Sequence, residues 1–299
     1  MVGTSVSNKI TLDKLIQVVF SVILLASTIV VLWPLLYILS ASFSSPEAVI
    51  SGKVWLFPVE PTLAGYAAVF RNRHILSGFS NSFFYMFIGT AVNIIFTLLA
   101  AYPLSRKEFT ARRYFSALFV FTMLFSGGLI PLYLVVKSVG LLDTRAALIL
   151  PTALSVWNLI ITRTYMQMSI PDEMYEAAML DGSNDIQFFL KIVIPLSGPI
   201  IAVIALYYGV SHWNRYFEAL IFLKTRSLFP LQLVLRSILV TNNIDPMMIT
   251  DAEELIRKQG LVDLLKYSTI VVASVPVLCI YPFVQKYFIK GIMIGSLKG

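Results

Sequence analysis

Residues 176–195 read EAAMLDGSNDIQFFLKIVIP: two aspartates, a glutamate, an asparagine and a glycine, set between apolar runs long enough to cross a bilayer. Just upstream, SIPDEMYEAAMLDG has the signals of a helix. Ser169 is its candidate cap, Pro171 falls in the first turn, and Asp172 and Glu173 sit near the positive end of the helix dipole. Gly182 stops that helix. Ser183 is the candidate cap of a second helix, in which Ile186, Phe189, Leu190 and Val193 recur at helical spacing until Pro195 opens the next apolar run. The pattern is helix, tight turn, helix.

The rest of the chain explains why such a hairpin is unusual. Of 299 residues, 58% are hydrophobic and only 13% are charged, well below the roughly 25% of a soluble domain. Mean hydropathy is +0.81. Apolar runs of about 20 residues recur, the length a helix needs to cross about 30 Å of hydrocarbon, and no alternating strand pattern repeats. The expected class is an all-α polytopic membrane protein. Cys279 is the sole cysteine and lies in an apolar run, so no intrachain disulfide or cysteine-based metal site can form, and it is expected as a small buried hydrophobe.

Six spans are expected, at about 15–42, 82–104, 114–136, 146–166, 196–222 and 268–288. The connection SRKEFTARRY between the second and third holds Arg106, Lys107, Arg112 and Arg113, and a cation cluster in a short loop favours the cytoplasm. Lys9 and Lys14 before the first span, and Lys286, Lys290 and Lys298 after the last, agree. Both termini are then cytoplasmic, with residues 1–14 as the N-terminal segment, 15–288 as the transmembrane domain and 289–299 as a C-terminal tail. The first span is expected to be an uncleaved anchor. Loops 43–81, 137–145 and 223–267 fall outside; in the last, Thr250 can cap a short helix and Gly260 can end it.

By that count the hairpin, about 169–195, faces the cytoplasm. Ala177 and Ala178 let another surface approach the backbone, while Glu176 and Asp181 offer charge to it, so a docking element is one reading. An amphipathic helix lying in the headgroup layer is the other. Five acids between Asp172 and Asp185 weigh against it, because an anionic leaflet repels them.

At these residues the chain resembles a known family. Glu176, Ala177, Ala178, Gly182, Ile192 and Pro195 match the spacing of the signature of the membrane subunits of bacterial ABC importers, with Ile194 where that family has leucine. The longer stretch through Pro199 is similar to the carbohydrate-uptake branch. The tail YPFVQKYFIKGIMIGSLKG resembles the end of the smaller maltose permease subunit, including Gly291, Gly295, Lys298 and Gly299. FPLQLVLR and LKYSTIVVASVPVL are closer to a subgroup for complex oligosaccharides such as alginate or plant cell-wall fragments.

The resemblance implies a type I importer fold in which the hairpin couples to a separate ATPase and the tail reaches between two ATPase subunits. It also implies a second, homologous permease and an external solute-binding protein near loop 223–267, for which a plain structured cap is the alternative. The inner membrane is the implied location. No phosphate-binding loop is present, so the chain binds no nucleotide cofactor itself, and ATP and magnesium belong to the partner subunits. The literal G-x-x-x-G at Gly291–Gly295 follows the last apolar residues, among lysines, which disfavours a helix-dimerisation face.

Span five carries YYGVSHWNRYFEAL. His212, Asn214, Arg215 and Glu218 are costly in hydrocarbon and are expected to face a cavity, a partner or the outer headgroups. With Tyr207, Tyr208, Trp213 and Tyr216 they suit a passing sugar; an aromatic belt at the outer interface is the competing reading. Outward cations Arg215, Lys224, Arg226 and Arg236 would suit an acidic oligosaccharide. His74 is the only other histidine, and Ser211 and His212 point to different sides of one helix, so no nucleophilic triad assembles. The net charge of +7 is spread over loops, which argues against a nucleic-acid partner. A secondary transporter or channel driven by an ion gradient is the alternative; it would need paired intramembrane carboxylates or an inverted repeat, and neither is present. A membrane enzyme would need a cluster of acids, histidines or cysteines near one interface, and the acid cluster is already in the hairpin.

Overall fold

The structure, a computed structural model, describes residues 3–241, 260 and 262–279, with side chains from residue 14 on and not at 239–241. Its helices are α1 (Gly3–Ser42), α2 (Pro46–Ile50), α3 (Ala64–Arg71), α4 (Arg73–Ser105), α5 (Arg112–Leu124), α6 (Leu129–Ser138), α7 (Ala146–Ile149), α8 (Val156–Ser169), α9 (Asp172–Leu180), α10 (Asp185–Phe188), α11 (Ile194–Leu196), α12 (Gly198–Trp213), α13 (Phe217–Phe222) and α14 (Leu231–Thr241), followed by α15 (Val262–Cys279). Among the described residues there is no strand.

Three helical stretches are long and apolar enough to cross a bilayer: Lys14–Ser42, Arg73–Ser105 and Val262–Cys279. Three further spans are bent pairs. α5 and α6 meet at 116°, the stretch from Ala146 to Thr152 meets α8 at 52°, and the stretch from Asp185 to Leu196 meets α12 at 76°. Counted this way there are six among the described residues. The bends follow the sequence: Gly127 and Gly128 separate α5 from α6, with Gly128 at φ 86°, and Pro151 sits in the 3₁₀ turn after α7. Ser197 alone separates α11 from α12, which opens on Gly198 and Pro199.

Several expected boundaries shift. The second span begins at Arg73 rather than 82, because Asn72 caps it by accepting from the His74 and Ile75 amides at 2.9 and 3.4 Å. The fifth breaks at Asn214–Tyr216 between α12 and α13, and the sixth is helical from 262. Gly260, expected to end a helix, is itself in helical backbone, while Thr250 lies outside the described residues. Cys279, expected to be buried, is exposed, beside Leu278 at 67% exposure on the same apolar helix. In a bilayer that face meets lipid or another chain rather than a core.

The helices form two compact units, one holding α1 to α3 with most of α15, the other α4 to α14. In the first, Ala41, Ala48, Val49 and Val54 pack with Tyr37 and Tyr267. Gly65 brings α3 against α15 so closely that a Cβ there would stand 2.8 Å from Leu264 Cγ. α1 is exposed from Leu15 to Leu36, which suits a helix whose solvent is lipid.

The second unit is built on α4, which packs lengthwise against α8 and α12. Toward one end of α4, Tyr85, Leu148, Ile149, Ala219 and Phe222 form a core. Toward the other, Leu98, Ala101 and Leu104 pack with Leu159, Met166, Ala178, Phe188 and Val193. The hairpin therefore shares a core with the end of the second span.

Candidate functional site

The hairpin forms as a helix, a tight turn and a helix, with different caps from those expected. Ser169 is the last residue of α8, and Pro171 precedes α9 with no side-chain cap. Asn184, not Ser183, caps α10: its Oδ1 accepts from the Gln187 amide at 2.8 Å, and Gln187 Oε1 accepts from the Asn184 amide at 3.2 Å. The Asn184 side chain satisfies one otherwise orphan amide and the Gln187 side chain the other. Gly182 holds the turn at φ 80°, the left-handed region that glycine enters without cost.

The apolar stripe also differs. Phe188 and Val193 are buried, whereas Ile186 and Leu190 are 69% and 55% exposed. A π-helical turn at Phe189–Val193 inserts an extra residue, so the buried pair Phe188 and Val193 stand five apart, out of 3.6-residue register.

Glu176, Ala177, Asp181 and Gly182 are exposed together along the outer side of α9 and its turn, Pro195 is exposed, Ile192 is half-buried, and Ala178 is buried against the core. Leu180 is 89% exposed. A large apolar side chain thus stands exposed on a tip edged by Glu176 and Asp181. Tyr175 Oη donates to Asp185 Oδ1 at 2.7 Å, tying the two arms, and this bond is the main reason the Tyr175 phenol is pushed above its ordinary range.

The hairpin is fixed to the cation-rich loop after α4. Lys107 Nζ pairs with Asp172 Oδ2 at 2.7 Å, and Arg106 reaches Asp172 and Glu108 at 3.5 and 3.4 Å. The Lys107 hydrogen bond, above all, holds the Asp172 carboxyl below its ordinary range and raises Lys107 in turn. Sequence reasoning counted Arg106 only as an orientation charge. Its guanidinium is buried, 4.4 Å from the Tyr175 ring centre and 5.8 Å from that of Phe188. No spacing rule in a single sequence reveals that contact.

The residues expected along a substrate path divide in two. Tyr208, His212, Trp213 and Arg215 turn inward and are buried. Tyr208 Oη meets Thr97 Oγ1 at 2.8 Å and accepts from the Ser155 amide at 3.1 Å. His212 Nε2 meets Asn93 Oδ1 at 2.7 Å, and Asn93 Nδ2 donates to Thr152 O at 2.5 Å. Arg215 donates to Leu148 O and, at 2.8 Å, to Thr152 Oγ1. These side chains stitch α12 to α4 and to the bend after α7, so Arg215 answers its burial inside its own chain rather than at a cavity or headgroup. Trp213 packs on Phe83, with ring centres 5.3 Å apart. Asn214 and Tyr216 stay exposed and, with Ser211 and Glu218, line a depression of about 350 Å³.

At the other end of α4, the start of loop 223–267 is pinned by side chains the sequence did not single out. Asn81 Nδ2 donates to Ser227 O and Phe229 O at 2.7 and 3.1 Å, Tyr85 Oη donates to Leu228 O at 2.8 Å, and Ser82 Oγ accepts from the Leu231 amide at 2.8 Å. Asp143 accepts from the Lys224 and Thr225 amides and the Thr225 hydroxyl. The tail residues Gly291, Gly295, Lys298 and Gly299 lie outside the described residues.

Comparison with known proteins agrees on one family. No protein-family profile matches the chain. The polygalacturonan/rhamnogalacturonan transport system permease protein YtcP of Bacillus subtilis is 41% identical over 288 residues, 96% of this chain and 99% of that protein. Protein LplC of the same organism is 41% identical over 266 residues, 89% of each chain. The arabinooligosaccharides transport permease AraQ of Halalkalibacterium halodurans is 27% identical over 277 residues, 90% of this chain and 92% of that one. A bacterial ABC transporter involved in import of the acidic polysaccharide alginate contains a chain of the same fold, with TM-score 0.85 and 35% identity over 92% of this chain and 97% of that one. The helical architecture, the hairpin between the fourth and fifth spans and these likenesses agree: this multi-pass membrane chain belongs to the permease subunits of the carbohydrate-importing ABC transporters and has the type I importer fold.

Proposed function

We propose that the chain is one of two homologous permease subunits that carry an acidic oligosaccharide across the bacterial inner membrane, driven by ATP hydrolysed on two separate subunits. The observation that carries the coupling reading is the hairpin tip, where Glu176, Ala177, Asp181 and Gly182 are exposed together while Ala178, Phe188 and Val193 weld its inner side to α4, α8 and the following span. A rigid element rooted in the spans and presented to a partner can transmit displacement. Magnesium and ATP sit on the partner in this reading, and this chain binds neither. Contact between Lys107 of the cation-rich loop and Asp172 of the hairpin supports one cytoplasmic side for both, and with it cytoplasmic termini.

The substrate class rests on the relatives, whose names specify polygalacturonan/rhamnogalacturonan and alginate. A binding protein docked outside would deliver the sugar, with residues 223–231, braced on Asn81, Ser82 and Tyr85, as the near edge of its seat. Asn214 and Tyr216 are the exposed members of the candidate path. The C-terminal tail, including Gly291, Gly295, Lys298 and Gly299, would reach the ATPase pair.

The test is uptake into vesicles bearing the permease pair, ATPases and binding protein, with uronic-acid oligosaccharides and neutral oligosaccharides of the same length. ATP-dependent uptake that favours the uronic acids is expected. Uptake without the ATPase subunits, or uptake confined to the neutral sugars, would contradict it.

A further inference from the structure

Arg106 joins the end of the second span to the hairpin beside the Lys107–Asp172 pair, and its environment is unusual for a loop cation at a membrane face. α4 ends at Ser105, so Arg106 is the first residue beyond it, yet it is only 7% exposed. Its guanidinium lies over the Tyr175 ring on α9 and near the Phe188 ring on α10, so one side chain touches both arms of the hairpin. Its Nη2 is 3.5 Å from Asp172 Oδ1 at the start of α9, and its Nε is 3.4 Å from Glu108 Oε2 in its own loop. The backbone around it is held as well. Arg163 on α8 donates to Leu104 O at 3.0 Å, and Arg112 donates to Arg106 O at 3.4 Å.

We infer that Arg106 is the positioning residue that makes the hairpin and the cytoplasmic end of the second span move as one body, so that displacement of the hairpin becomes displacement of α4. The apolar packing beneath holds the inner side of the hairpin but not all of it. Beside Arg106 a depression of about 680 Å³, bordered by Tyr102, Phe109, Ile186 and Leu190, leaves the second arm of the hairpin unsupported on that side. The Arg106 guanidinium adds a link of another kind: it lies over one ring of α9 and forms an ion pair, without a hydrogen bond, to a carboxylate on the same helix, which opposes rotation as well as separation. Lysine at this position could pair with Asp172 but could not stack flat on Tyr175.

This inference rests on residues 169–195 being the coupling element. The experiment uses the complete reconstituted transporter and reads solute taken up per ATP hydrolysed, with assembly checked by co-purification. Arg106→Gln is expected to assemble and to continue hydrolysing ATP while uptake per ATP falls about tenfold, with Arg106→Lys intermediate. Should Arg106→Gln fail to assemble, the double variant Asp172→Asn with Glu108→Gln, which strips both carboxylates from the same guanidinium, is read by the same ratio against Lys107→Gln, the control for the Lys107–Asp172 pair that it also breaks, and is expected to lower the ratio below that control. A normal ratio in Arg106→Gln, or a ratio no lower than that control in the double variant where that is the one read, overturns the inference. Gly182→Val in parallel separates the two claims: if it uncouples and Arg106→Gln does not, only the positioning role is lost, whereas normal coupling in both removes the hairpin reading itself.

Discussion

His212 Nε2 and Asn93 Oδ1 lie 2.7 Å apart between α12 and α4, both side chains almost wholly buried. The contact requires Gly89, because a Cβ there would overlap the His212 ring, standing 2.9 Å from Cδ2 and nearer to the other ring atoms. Gly89→Ala should therefore push the two helices apart and destabilise the chain by about 1 to 3 kcal/mol, read as a lowered thermal midpoint in detergent. Gly209→Ala, whose nearest neighbours would be 3.8 Å away, should be near neutral and serves as the control.

Asn93 also donates to Thr152 O, so Asn93→Ala leaves both that carbonyl and His212 short of a partner. A loss of about 2 kcal/mol is expected. Asn93→Asp should not rescue it, since a carboxylate cannot donate to Thr152 O. Equal thermal midpoints for Asn93→Ala and the parent chain would show that the contact is idle.

Asp143 sits in a short loop at φ 58° and accepts three hydrogen bonds from Lys224 and Thr225. The Thr225 hydroxyl, then the two amides, hold its carboxyl below the ordinary range. Because the folded value is the lower one, the latch is fully present above the ordinary carboxylate value of about 4 and is lost as pH falls through the folded value. Protection of the Lys224 and Thr225 amides in hydrogen exchange, corrected for intrinsic rate, should hold from neutral pH to about 5 and collapse only in stronger acid. Asp143→Ala should abolish it at every pH, whereas Asp143→Asn, which tolerates the left-handed conformation, should keep part of it.

Gly182 has open space around it, with nothing within 4 Å of a built Cβ. Only its positive φ constrains it, so the choice of residue, not its size, should decide the outcome. Gly182→Asn is expected to transport nearly normally and Gly182→Val to hydrolyse ATP without matching uptake, with a backbone cost of about 1 to 2 kcal/mol at the turn. Equal transport by the two variants would contradict the turn's role.

The sequence revealed the elements whose cause is local. Apolar length located the third and fourth spans to within a few residues, though the second begins nine residues earlier than expected, at Arg73, and the turn at Gly182 needed only one glycine between two helical runs. What it hid was tertiary. The third span read as one continuous run at about 114–136, and its break at Gly127 and Gly128, with an angle of 116°, depends on what packs around it. The stripe on the second arm failed because a π turn changes the period that the stripe reading assumes. Span five read as a row of polar groups needing a cavity, a partner or the outer headgroups, yet Tyr208, His212 and Arg215 find their partners on α4 and in the stretch from α7 to the start of α8, contacts up to 119 residues away in sequence. Arg106 was legible as charge and illegible as a stacked, buried link.

The direct test of the central claim is which side the hairpin tip faces and what covers it. In a Cys279→Ser background, Asp181→Cys should react with a membrane-impermeant maleimide in inside-out vesicles and not in right-side-out ones, and added ATPase subunit should block the reaction. Labelling from the outer face, or labelling from the inside that bound ATPase leaves unchanged, would contradict the account.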